Sequence, residues 1–106
     1  MTRLEQLQEF LKKEPLDPFL NYALAMELEA RGDAEGAYAK LLELYKNNPD
    51  YSATYYHLGR LMIGRGMRDE ALEFFQEGMK VTRAKREQHL LAELQSAYNN
   101  LLYDDE

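Results

Sequence analysis

The side chains suited to acid–base or metal chemistry in this 106-residue chain are two histidines, His57 and His89, and nineteen carboxylates. Zinc sites need thiolates or imidazoles at helical or hairpin spacing, and the chain has no cysteine and no His-Glu-x-x-His pattern. Phosphate cradles need a glycine-rich loop closed by Lys-Ser/Thr, and Gly64-Arg65-Gly66 lacks that ending. His57 falls midway along a helical stretch, which fits structural or surface placement. Carboxylates spread along helices mostly mark solvated faces. Arg31-Gly32-Asp33 has the letters of an adhesion motif, but its glycine is already required at a hairpin turn. The expectation is that the chain is not an enzyme and has no catalytic residue, no metal site and no cofactor.

Composition narrows the remaining classes. With 45% hydrophobic and 30% charged residues, the chain belongs with folded proteins rather than disordered ones. No run approaches the ~18 apolar residues of a membrane span. Met1-Thr2-Arg3-Leu4-Glu5 has no apolar block of the kind that drives secretion, so a cytoplasmic location is expected. A net charge of −6 argues against nucleic acid and acidic membranes as partners. The charge is uneven: residues 60–86 carry +3, residues 1–59 carry −4, and residues 87–106 carry −5.

The elements that would position these residues are all helical, since no segment alternates apolar and polar residues long enough for a strand. Residues 2–13 open with a capping box, Thr2 and Glu5, followed by the stripe Leu4, Leu7, Phe10 and Leu11. Pro15 and Asp17-Pro18 end that helix, and Asp17 caps the next, which carries Leu20, Leu24 and Leu28 up to Gly32. Asp33 caps a third helix with Ala37, Leu41, Leu44 and Tyr45, broken at Asn47-Asn48-Pro49-Asp50. A fourth has Tyr55, Leu58 and Met62 before Gly66; a fifth has Ala71, Leu72, Phe75 and Met79, with uncapping Met67 in the place of Asp33. A last stripe runs through Leu91, Leu94, Tyr98, Leu101 and Leu102 to the acidic end Asp104-Asp105-Glu106. With no proline or glycine between Val81 and Leu102, pattern leaves two outcomes open: a break near Ala84–Glu87, or one continuous helix.

The helices repeat. Residues 18–51 overlie residues 52–85 at an offset of 34, matching Tyr22 with Tyr56, Leu24 with Leu58, Arg31 with Arg65, Gly32 with Gly66, and Ala37 with Ala71. Ala25 meets Gly59, and Leu41 meets Phe75. Such a period marks a stacked array of helical hairpins, an α-solenoid.

On these residues the chain resembles the tetratricopeptide repeat family, whose unit is a 34-residue helix–turn–helix, and it is similar to small stand-alone bacterial members. The resemblance covers residues 18–85 directly, and residues 4–15 resemble the second helix of a preceding half repeat. It implies an all-α, right-handed superhelical stack of antiparallel helix–turn–helix repeats in a single domain over residues 1–106. The parts would be an N-terminal helix at 2–15, repeats at 18–51 and 52–85, and a capping helix at 86–103. Asn21, Leu44 and Arg83 depart from the family pattern, standing for a large apolar residue, a small residue and the closing proline.

In the family, the first helix of each repeat lines a concave binding face. Carried onto this chain, those places are Phe19, Tyr22, Met26 and Glu29, then Ala53, Tyr56, Arg60 and Ile63. Tyr22 and Tyr56 are open to either core support or partner contact. The family's carboxylate clamp falls on Tyr22, Met26, His57, Glu87 and Leu91, none of the required types, so that ligand class is not expected. The expected function is noncatalytic binding of a peptide or helical segment of a protein partner. The alternative is homo-oligomerisation through the end helices, motivated by the 90–102 stripe.

Overall fold

A computed structural model describes residues 1–104, so Asp105 and Glu106 of the acidic end lie outside the described residues. Six α-helices make up the secondary structure of those residues: α1 (Arg3–Lys13), α2 (Pro18–Ala30), α3 (Ala34–Asn47), α4 (Ala53–Gly64), α5 (Arg68–Ala84) and α6 (Gln88–Leu102). The contacts divide the chain into two compact units, Met1–Tyr51 and the part from Ser52 onward.

In the first unit, α2 packs against both α1 and α3. The helix starts follow local chemistry. The Thr2 hydroxyl accepts from the Glu5 amide at 3.1 Å while Glu5 Oε1 accepts from the Thr2 amide at 2.9 Å, a closed capping box. Hydrogen bonding to its oxygens from the Thr2 amide, and secondarily from the Thr2 side chain, holds the Glu5 carboxyl below its usual range. Asp17 Oδ1 accepts from the Leu20 amide at 2.9 Å, and Asp33 Oδ1 from the Gly36 amide at 2.8 Å. Ala25, Ala37, Leu41 and Leu44 are buried, so helices approach closely over small residues with leucines filling the space between.

Two positions in this unit depart from a simple apolar pattern. Asn21 is buried, and its amide nitrogen donates to the carbonyls of Pro15 at 3.0 Å and Asp17 at 2.8 Å. The residue that breaks the family's apolar preference therefore ties the α1–α2 turn to α2, at about 1 kcal/mol per bond. The α1 stripe is only partly used: Leu7 is buried, Leu4 and Leu11 are half-buried, and Phe10 is exposed. Phe10 packs less than its spacing suggests because α2 is the helix against which α1 packs in its unit, and one neighbour covers only a narrow stripe.

In the second unit, α5 packs against α4 and α6, and α4 also touches α6. Tyr55, Leu58, Phe74, Phe75 and Leu94 form the buried interior, with the Tyr55 and Phe74 rings 4.8 Å apart. Glycines allow this density. A Cβ on Gly59 would overlap the Phe75 ring, and one on Gly78 would lie 2.6 Å from Tyr55 Cβ. The Tyr55 hydroxyl donates to Glu77 Oε2 at 3.2 Å, and the buried Thr82 hydroxyl to the Gly78 carbonyl at 2.9 Å. Met67 gives α5 no side-chain cap, in keeping with its type.

The last two helices are separate. The Glu87 amide donates back to the Thr82 carbonyl at 2.9 Å and the Arg86 amide to Arg83 at 3.1 Å, while Arg86 takes φ 60°. The same pair of bonds closes α2 at Gly32 and α4 at Gly66, where φ is 86° and 76°. The third turn uses the glycine geometry without a glycine, so the sequence carries no signal for it.

Candidate partner-binding site

The eight sequence-expected residues lie on α2 and α4, four in each unit. On α2, Phe19 is 61% exposed, while Tyr22, Met26 and Glu29 are half-buried. The Tyr22 ring stands 6.0 Å from Tyr51, whose phenol is raised above its usual range by burial and, secondarily, by the Asp17 carboxylate. Tyr22 therefore has a packing partner within its unit.

On α4, Tyr56, Arg60 and Ile63 follow one another at spacings of four and three, one face of a helix, and together line a cavity of about 270 Å³. Ala53 is half-buried at the start of α4 and is not among the lining residues. Ile63 remains 40% exposed, whereas Tyr56 is half-buried with its ring edge-on to His57 at 5.3 Å. The floor is apolar: Phe75 from α5 is 1% exposed, and Leu101 from α6 is buried. Ala97 and Asn100 on α6, with Asp104 just beyond it, complete the lining.

The α6 side of the pocket has no legible pattern in the sequence. Ala97, Asn100, Leu101 and Asp104 recur at spacings of three, one and three, a single helical face whose mixture of small, polar, apolar and acidic types conceals it. Only packing of α6 on α5 and α4 reveals that this face meets the α4 strip.

Side-chain contacts fix α6 at both ends. The Arg68 guanidinium donates to the carbonyls of Leu101 and Leu102, both at 3.2 Å, meeting groups left open at a helix C-terminus. At the other end, the Ser52 hydroxyl donates to Glu87 Oε1 and accepts from Lys85 Nζ at 3.2 Å. Midway, Gln76 Nε2 donates to the Tyr98 hydroxyl at 3.2 Å. The pocket wall is thus held by elements on every side rather than by a loop.

Chemically, the pocket has an apolar interior with a guanidinium, an amide and a carboxylate around it. That is the make-up of a site that takes an apolar group and orients it by its polar surroundings. Among the described residues, no group of three or more His, Cys, Asp or Glu is placed to hold a metal, and no helix is long and apolar enough to cross a membrane. His57 and Glu87, places of the family's carboxylate clamp, lie in an edge-on ring contact and in the Ser52 hydrogen bond, respectively.

Comparison with known proteins bears on the fold. A sequence profile described as tetratricopeptide repeat matches residues 28–100. A crystal structure of a tetratricopeptide repeat domain protein from Salinibacter ruber is 38% identical, with a TM-score of 0.81 over 84% of this chain and 100% of that one. A solution structure of a tetratricopeptide repeat domain protein from the same organism is 39% identical, with a TM-score of 0.78 over 85% of this chain and 90% of that one. A Bordetella parapertussis protein solved in solution shares the fold at 22% identity, TM-score 0.82, covering 99% of this chain and 91% of that one. No curated protein matches the chain. The matched repeat and its helical hairpins agree, and the chain belongs to the tetratricopeptide repeat family.

Proposed function

We propose that this chain is a noncatalytic module that holds a peptide or helical segment of another protein, with the α4–α6 pocket of the second unit as its anchor point. Tetratricopeptide repeats are generally protein-interaction folds, and their members are typically noncatalytic. The observation that carries the reading is the pocket: an apolar cavity bordered by Tyr56, Arg60 and Ile63, with Ile63 exposed at its edge. Exposed Phe19 on α2 supplies a second apolar contact in the first unit. Anchored aromatic and aliphatic contacts of this type dominate segment recognition.

Self-association through α6 has less support. Leu94 and Leu101 are buried within the chain, and Leu90, Leu91 and Leu102 are half-buried, so the apolar stripe is largely spent. Affinity capture from a native lysate compares the wild-type chain with the Tyr56→Ala, Met26→Ala double variant, both verified as folded by circular dichroism. Loss of retained partners in the double variant is expected, and an unchanged set would contradict the reading.

A further inference from the structure

We infer that the α5–α6 turn is a docking surface for an acidic segment of a partner protein, held by Lys80, Arg83 and Arg86. The surface is separate from the α4–α6 pocket and shares none of its lining residues. Residues 80–89 hold four lysines and arginines against a single carboxylate, Glu87, in a chain whose net charge is −6. That carboxylate is engaged: Glu87 Oε1 accepts from the Ser52 hydroxyl and stands 3.8 Å from Lys85 Nζ. Lys80, Arg83 and Arg86 are exposed, and among the described residues none of the three has a side-chain hydrogen bond or an ion pair.

Local structure brings the three together. Lys80 and Arg83 lie three residues apart on α5, neighbours on one helix face. The Arg86 amide donates to the Arg83 carbonyl at 3.1 Å, which folds the third residue back on the end of the helix. A base at Arg83 suits the helix dipole and by itself needs no ligand. Arg86 is different. It takes φ 60°, where the equivalent turns of this chain use Gly32 and Gly66, and an L-residue there strains the backbone. Asparagine or aspartate eases that conformation by bonding the local backbone, and arginine has no such short polar group. Strained positions of this kind cluster where a side chain is used in binding. Guanidinium groups pair with carboxylates through two parallel hydrogen bonds, so the occupant is acidic. The chain's net charge of −6 opposes an extended polyanion such as a nucleic acid or a membrane surface. A short acidic segment instead meets the basic turn within a Debye length of about 10 Å, beyond which the other charges are screened.

The test titrates the full chain, isotope-labelled for amide resonances, at low salt with a short peptide of alternating glutamate and serine with blocked ends. A second peptide carries glutamine in place of every glutamate. The glutamate peptide is expected to shift the resonances of residues 80–89 and leave those of α1 unchanged, while the glutamine peptide shifts neither. Added salt should weaken the binding. Arg86→Gly should weaken it by about 2- to 5-fold while raising the urea midpoint, and Arg86→Lys, which keeps both charge and strain, should retain most of the affinity. Opposite changes in stability and binding separate a docking role from a purely structural one. Equal shifts from both peptides, no shifts at millimolar concentration, or unchanged affinity in Arg86→Gly would overturn the inference. So would tighter binding of a DNA duplex or of phosphatidylserine vesicles, which would assign the turn to that polyanion. Shifts at Ile63 and Ala97 in place of residues 80–89 would overturn it too, and would leave the pocket reading standing.

Discussion

Arg86 occupies a backbone position that glycine fills at the two equivalent turns. At φ 60° its Cβ crowds the neighbouring carbonyl, a cost of about 1–2 kcal/mol for an L-residue, part of which glycine would return as greater freedom in the unfolded chain. Arg86→Gly is therefore expected to stabilise the fold by about 0.5 kcal/mol, read as a higher urea midpoint. Gly59 presents the opposite case. Alanine gains helix propensity, but its methyl must displace the Phe75 ring, which is 1% exposed and closely packed. Gly59→Ala should lower stability by about 1–3 kcal/mol in the same measurement. Asn21 shows a third outcome, in which a polar residue in an apolar place is retained by two backbone carbonyls.

Among the elements, α6 is the one whose position the pocket depends on most. Arg68 reaches across from the start of α5 to the last carbonyls of α6. Replacing it with alanine removes a charged donor from two acceptors and the packing of its stem. Arg68→Ala should cost about 1–2 kcal/mol and speed amide hydrogen exchange in the last turn of α6, while α3 is unaffected. Caps and glycine turns were legible in the sequence because each is a local device: Thr2 with Glu5, Asp17, Asp33, Gly32 and Gly66 act within a few residues. The α5–α6 turn was not, because Arg86 carries no signature of the conformation it adopts. The α4 strip was an expectation from the family resemblance, whereas the α6 residues that line the pocket with it depend on tertiary packing that no local pattern encodes. Exposed Phe10 marks the same limit, since spacing marks a stripe but not how much of it a neighbour covers.

At the scale of the whole molecule, stability at alkaline pH should depend on Tyr51. Its folded pKa lies above the unfolded value of about 10, so the neutral phenol is the form the fold favours. That contribution is complete below pH ~10 and is lost as pH rises through the folded value, because the unfolded chain ionises first. Tyr51→Phe should flatten this alkaline decline in thermal midpoint while leaving the neutral-pH slope unchanged.

The central claim is that a partner segment lies on the α4–α6 pocket. It is tested most directly by photocrosslinking in the native cell, with p-benzoylphenylalanine placed at Ile63 and, as a control, at exposed Glu73 on α5. A discrete crosslinked protein is expected from position 63, reduced by Tyr56→Ala, and none of that species from position 73. Equal crosslinking from both positions, or none from position 63, would contradict it.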